Sequence, residues 1–287
     1  MTRPYPWAGL LLGLAACSTP YTAEEKEASF ELHRDALIGT EPVADYLRSR
    51  TALLLRSIRV TGVTLEGRAL HIKGEGAPGT PGGVGAAIPV ATDGYYLTAA
   101  HCISGHPTHH IGGGRFAVPK EGTANVVVST VVTDGRTVRF GAARLVWLSE
   151  EGDLALIHAP AAPFGLLDWE TGDLPPESLV FAAGFPSVLG SSMLGKTGGY
   201  AGPSAGLVQG AGLETAEYRE LSHDAPLGFG DSGGPLVTRQ GKLVGMNTRI
   251  MGGIFGRGPS VALRPNRDLL NTLIEADRLR PPADKHP

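Results

Sequence analysis

The chain has 287 residues, 18% of them charged, against roughly 25% in typical soluble domains. Its 41 glycines and 22 prolines favour many turns and short strands over long helices. A net charge of −3 without any basic stripe argues against nucleic acid as a partner.

The N-terminus reads MTRPYPWAGLLLGLAACSTP. One arginine precedes an apolar run from Trp7 to Ala16, too short to span a bilayer as a helix and suited to a secretory signal. Leu14-Ala15-Ala16-Cys17 resembles the lipobox of bacterial lipoproteins, which implies cleavage after residue 16 and acylation of Cys17. Ser18 after that cysteine resembles the sorting pattern for the outer membrane. The expected location is therefore the bacterial cell envelope, with several acyl chains giving a stable membrane anchor. Once Cys17 is acylated, Cys102 has no disulfide partner and the fold rests on its core.

Residues 17–52 are polar and charged. TAEEKEASFELHRDALI predicts a helix, and Thr22 followed by Glu25 fits a capping box. Phe30, Leu32, Leu37 and Ile38 give only a partial apolar stripe, so the segment reads as a tether or as a pro-segment. From Leu53 the pattern changes. LLLRSIRVTGVTLEGRALHIKG alternates apolar and polar residues with glycine at the breaks, as strands and hairpins do. VGAAIPVATDGYYLTAAHC and NVVVSTVVTDGRTVRFGAARLVWL predict strand pairs, with turns at Asp93-Gly94 and Asp134-Gly135. DLALIHA is a short buried strand, and a proline-rich connection follows at 159–176. ESLVFAAGF, GPSAGLVQGAG, PLVTRQGKLVGMNTRI and GPSVALRP form a second strand set. NRDLLNTLIEADRL closes the chain as a helix, with Leu269, Leu270, Leu273 and Ile274 on one face and Asn266 as its cap. The expected class is all-β: one strand group over about 53–160, a second over about 175–263, a helix over about 266–278 and a tail at 279–287.

Three segments carry chemistry. LTAAHC holds His101, EGDLALI holds Asp153, and GFGDSGGPLV holds Ser232. A serine hydroxyl is a poor nucleophile. It needs a base within hydrogen-bond reach, and the base needs a carboxylate to fix its tautomer and stabilise its cation. Glycines around Ser232 would let the N–H groups of Gly230 and Ser232 converge on one developing oxyanion.

In the order His, Asp, Ser these segments resemble those of the chymotrypsin/trypsin-like serine protease clan, over roughly residues 53–275. SLVFAAGFPSVLGSSMLGKTGGYAG and VGMNTRI…SVALRPNRDLL look more like the bacterial HtrA-type branch. The resemblance implies two six-stranded antiparallel barrels, the first carrying His101 and Asp153 and the second Ser232. It also implies a serine endopeptidase acting on polypeptides through an acyl-enzyme, with His101 as base then acid, Asp153 orienting it and Ser232 as nucleophile. No cofactor is implied. The chain ends soon after its last helix, so no PDZ domain like those of HtrA proteases is expected. The same cleft on an inactive homologue would make a peptide-binding envelope lipoprotein, and ester hydrolysis shares the acyl-enzyme chemistry.

Departures from the clan matter. In the trypsin branch a cysteine after the histidine pairs with one on the preceding strand. Here VGAAI has none, so Cys102 is expected to be a buried free thiol. Zymogens of that branch free an apolar N-terminus that pairs with the aspartate before the serine. No such start is visible, and the sequence names no partner for Asp231. By resemblance the specificity pocket lies near Pro226 and Leu227. Neither is acidic, which implies a small or medium apolar preference rather than Lys or Arg. Asn247, Thr248 and Arg249 would pair with substrate backbone by β-addition, with Arg249 either touching substrate or lying on the surface. His106, His109 and His110 have metal-like spacing but no acidic or cysteine neighbour, so a solvated loop is expected and no metal.

Overall fold

A computed structural model describes residues 20–67, 69–76, 83–104, 108–111, 114–117, 127–185, 197–199, 203–253 and 256–281. Cys17, His106 and the side chains of His109 and His110 lie outside the described residues, as do the signal segment and most of the tail.

Twelve strands close into two antiparallel barrels. The first holds β1 (Ala52–Arg56), β2 (Gly83–Pro89), β3 (Tyr95–Thr98), β4 (Val128–Thr133), β5 (Val138–Ser149) and β6 (Leu154–His158). The second holds β7 (Leu179–Ala182), β8 (Ser204–Glu214), β9 (Tyr218–His223), β10 (Pro235–Thr238), β11 (Leu243–Gly253) and β12 (Gly256–Pro265). Both barrels follow one spatial order. The first runs β1-β2-β3-β6-β5-β4 and closes back on β1. The second runs β7-β8-β9-β12-β11-β10 and closes on β7. The two expected six-stranded barrels are both present, each closed by the pairing of its first and last strands in this order.

Local chemistry explains the corners. Gly94 and Gly135 take φ of 93° and 86°, so both Asp-Gly pairs turn where glycine avoids the Cβ penalty. Every residue of β1 is buried. Ala52 and Leu54 enter the core shared with Ile88, Leu97 and Leu154, whereas Leu53 and Leu55 pack on Ile58, Val60, Leu70 and Ile72 of an outer hairpin. Burial on both faces is why this strand reads as an unbroken apolar run rather than an alternation.

The last helix, α4 (Arg267–Arg278), starts at Asn266, whose side chain accepts from the N–H groups of Asp268 and Leu269. Leu270 and Ile274 are buried, and Ile274 packs on Tyr95 and Leu156 of the first barrel. The N-terminal segment departs from expectation. The capping box between Thr22 and Glu25 is present, but α1 stops at Phe30 (Ala23–Phe30) and a short 3-10 turn over Glu31–His33 follows. Residues 37–38 and 41–42 then pair as a small hairpin before a second helix, α2 (Val43–Arg48). Leu32 and Leu37 face solvent because the chain turns away before they could continue the stripe, while Phe30 and Ile38 are buried. Nor does this stretch behave as a tether. Tyr21 N–H bonds the Leu227 carbonyl at 2.9 Å, Ala205 N–H bonds Ser29 Oγ at 3.2 Å, and Phe30 meets Phe181 edge-on with centroids 5.7 Å apart. Residues 21–30 are thus packed on the second barrel.

Candidate active site

β3 and β6 are antiparallel neighbours, with Thr98 opposite Ala155. That register puts the exit of β3 beside the entry of β6. A short helix, α3 (Ala100–Ser104), follows β3 and carries His101, and Asp153 stands immediately before β6. His101 Nδ1 lies 2.9 and 3.0 Å from the two Asp153 carboxylate oxygens, and the His101 backbone N–H donates to Oδ1 at 3.0 Å. An ionised carboxylate only accepts, so Nδ1 carries a hydrogen, and it is Nε2 that holds the lone pair whenever the ring is neutral. Asp153 sits at φ 49°, a left-handed conformation uncommon for a residue other than glycine. Its carbonyl accepts from Ala100 N–H at 3.2 Å, which ties the strained turn to the start of α3. The His101 and Asp153 side chains are 16% and 22% exposed, partly withdrawn from water yet open at the cleft. Burial of the ring disfavours its charged form. The adjoining Cys102 and the Asp153 carboxylate outweigh that, and the His101 pKa stands well above the ordinary histidine value.

Ser232 arrives from the second barrel, just ahead of β10. Its loop is stitched to both barrels. Ala86 N–H of β2 donates to the Ser232 carbonyl at 2.8 Å, and Gly233 N–H donates to the Asn247 carbonyl of β11 at 2.8 Å. Gly233 takes φ 85°, and a Cβ there would overlap the Ala86 carbonyl, so only glycine lets the loop sit this close. Cys102 is a buried free thiol, as expected, with Sγ 3.5 Å from the Ser232 carbonyl. A Cβ at Gly85 would stand 2.7 Å from that sulfur. Gly85 therefore occupies the place across from Cys102 where a second cysteine side chain would have to fit.

Gly230 takes φ 97°. The N–H groups of Gly228, Asp231, Gly233 and Gly234 are all consumed within the fold. Among the described residues, those of Gly230 and Ser232 have no protein acceptor. The Ser232 hydroxyl donates to the Thr248 carbonyl at 3.1 Å and not to His101. That carbonyl is presented by a bulge. β11 pairs Asn247 with Ala262 and then Arg249 with Val261, so Thr248 has no opposite residue.

The remaining candidates divide. Pro226 is half-buried and Leu227 buried beside the Ser232 loop, and the Pro226 carbonyl accepts from Ser204 Oγ at 2.7 Å. Asn247 is committed to the fold: its N–H bonds Gly234, its carbonyl takes Gly233, and its amide donates to Pro235. It is therefore unavailable for substrate backbone. Arg249 is half-exposed and ion-paired with Glu220. No cluster of three metal-ligating side chains occurs among the described residues. One neighbour of the Ser232 loop was not expected from the sequence. Lys26 of α1 reaches Asp231, the residue before Ser232, in a buried ion pair. The signal was faint: Lys26 stands four residues before Phe30, on the same helical face as a buried aromatic.

Comparison with known proteins bears on the whole. The family model "Trypsin-like peptidase domain" matches residues 85–246. The chain is 29% identical over 188 residues to "Serine protease HTRA1" of Xenopus tropicalis, covering 64% of this chain and 35% of that protein. It is 26% identical over 206 residues to "Probable periplasmic serine protease do/HhoA-like" of Haemophilus influenzae, covering 69% and 38%. The chain thus spans only about a third of the length of such relatives. Among solved structures, "HtrA-type protease AlgW with tripeptide" superposes with a TM-score of 0.52 at 18% identity, over 82% of this chain and 62% of that one. That likeness concerns the fold.

Proposed function

The chain belongs to the trypsin-like peptidase family, and from that premise we propose that it is a serine endopeptidase acting outside the cytoplasm. In this reading Ser232 is the nucleophile, His101 the general base and then acid, and Asp153 the group that orients the ring. The observation that carries it is the bond of His101 Nδ1 to both Asp153 oxygens, on a barrel to which the Ser232 loop is directly bonded. As a peptide binds, the Ser232 hydroxyl leaves the Thr248 carbonyl and turns to His101 Nε2. It attacks the scissile carbonyl while His101 takes its proton, and the Gly230 and Ser232 N–H groups receive the oxyanion. His101 then protonates the leaving amine, and water releases the acyl group. Among the described residues β10 pairs β11 only as far as Met246, which leaves the β11 edge from Thr248 onward to take substrate backbone. With Pro226 and Leu227 at the pocket, a small or medium apolar side chain is preferred over Lys or Arg.

A fluorophosphonate probe tests this. The purified protein should label, while Ser232→Ala and His101→Ala should lose labelling by roughly 10³-fold or more. Cleavage of arginyl or lysyl amides as fast as alanyl or valyl ones would overturn the specificity. The bond of the Ser232 hydroxyl to the Thr248 carbonyl favours one second reading, a catalytically weak lipoprotein that holds extended peptide in the same cleft. A protein that binds peptide but never labels would select it. The Cys17 motif supports lipid anchoring in the envelope, which an alkynyl fatty-acid label tests: incorporation that survives Cys17→Ala sinks it.

A further inference from the structure

Asp231 is the residue on which the Ser232 loop turns. Its carboxylate Oδ2 accepts from Gly228 N–H at 2.7 Å, and its own N–H donates to the Gly228 carbonyl at 3.2 Å. Between them lie Phe229 and Gly230, whose carbonyl is held by Phe185 N–H at 3.1 Å. The carboxylate thus fixes the turn that aims the Gly230 and Ser232 N–H groups. Its side chain is only 1% exposed, and a charge so placed must be compensated within the fold. There is little slack around it. A Cβ on Gly184 would lie 2.6 Å from the Asp231 Cα, and Oδ1 is buried without a hydrogen-bond partner. The cation that compensates it is Lys26, 1% exposed and 205 residues away in sequence. Lys26 is held in place by α1, which the Tyr21–Leu227, Ser29–Ala205 and Phe30–Phe181 contacts fasten to the second barrel.

We propose that Lys26 is a positioning residue for the oxyanion site and that α1 is a built-in strap keeping the nucleophile loop in working shape. The inference rests on the reading of Ser232 as nucleophile. Without the lysine charge the Asp231 carboxylate has no cation, so it protonates or swings toward water. Either change releases Gly228 and lets the Gly230 peptide turn away. A strap that must lie in its groove before the oxyanion donors converge makes α1 part of the catalytic domain and not a pro-segment to be removed.

The test compares the full protein with Lys26→Met and with the double variant Lys26→Met/Asp231→Asn. Three quantities are read: fluorophosphonate labelling rate, kcat and KM on a peptide the parent cleaves, and amide hydrogen exchange over residues 226–234. Lys26→Met should label about 100-fold more slowly, as loss of one oxyanion donor does. The loss should fall on kcat, with KM within about 3-fold, and exchange in the loop should rise. The double variant buries no lone charge and keeps an acceptor for Gly228, so it should recover to within about 10-fold of the parent. A purely packing role predicts instead that the rate tracks melting temperature and that the double variant is no better than the single. Parent-like labelling and exchange in Lys26→Met would overturn the proposal. If the parent itself fails to label, the nucleophile reading falls, and the exchange data still decide the strap. If Lys26→Met does not fold, the double variant and Lys26→Arg carry the test: slow labelling and fast loop exchange in both would overturn it.

Discussion

His101 illustrates how one side chain joins chemistry to pH. Its pKa is raised well above the ordinary value by Cys102 and Asp153 against the opposing effect of burial. A protonated ring cannot act as base, so activity rises as pH climbs through that value. The acid limb of kcat/KM should have its midpoint above about 6.5, and activity at neutral pH should lie below its plateau. Asp153→Asn should move the limb to lower pH and cut kcat by on the order of 10⁴-fold, since the ring loses its tautomer as well as its charge partner. An unmoved limb would show that Asp153 does not govern the ring. The same shift sets a stability term. A folded pKa raised above the unfolded one stabilises the fold fully below about 6.5, and that contribution is lost as pH rises through the folded value. Around this residue the sequence was legible. The His, Asp and Ser segments, the two Asp-Gly turns and the Asn266 cap follow from local residue chemistry, and each lies within a few residues of its cause. Lys26 was not, because its one local mark, a place four residues before Phe30, does not say that its charge is buried or what it meets.

At the scale of elements, β2, α3 and the Ser232 loop meet at Gly85. The missing side chain there lets the Cys102 sulfur and the Ser232 carbonyl approach the strand. Gly85→Ala should therefore displace α3 and the loop together. An overpacked site of this kind costs about 1–3 kcal/mol, read as a lower urea midpoint with an unchanged slope. Cys102→Ala in the same chain should restore most of the loss, because it vacates the volume the new methyl needs. Independent, additive effects of the two substitutions would contradict that contact. The bulge at Thr248 is a second case in which an element serves the site. One unpaired residue frees a carbonyl toward Ser232, while its neighbours Asn247 and Arg249 stay in register with β12. The period-2 pattern of the strand gave no sign of it. A bulge shifts which residue faces the cleft, so Asn247, expected at the substrate, is instead spent on holding the loop.

Across the whole molecule the two chain ends cross over. The N-terminal α1 packs on the second barrel, and the C-terminal α4 packs on the first. On α4, Asp277 is fully buried and takes two bonds from Arg144 of β5 and one from Tyr95 of β3, the last at 2.7 Å. The Tyr95 hydroxyl is pushed up to about 12, first by burial and then by this carboxylate. Asp277→Ala would leave the Arg144 charge largely buried without its carboxylate. It should cost about 3–5 kcal/mol by denaturant unfolding, whereas Glu275→Ala, which removes only an exposed pair with Arg278, should cost under about 1 kcal/mol. Similar losses from both would show that α4 is fastened by its surface contacts. Such crossing places each terminal helix where it braces the barrel that the other half of the chain builds.

What the sequence determined by itself is what short-range physics encodes: strand periodicity, turns that need glycine, helix caps, and a glycine-rich serine turn whose backbone most residues could not adopt. Only the tertiary structure decided what depends on residues far apart in the chain. It closed the two barrels in one common order, brought Asp153 to His101 through the register of β3 and β6, and set Gly85 against Cys102. It also packed α1, within the segment expected as a tether or pro-segment, on the second barrel and gave Asp231 its counter-ion from Lys26. A buried charge demands a partner but does not say from where. That answer requires knowing which surfaces meet, and no local pattern of residues records it.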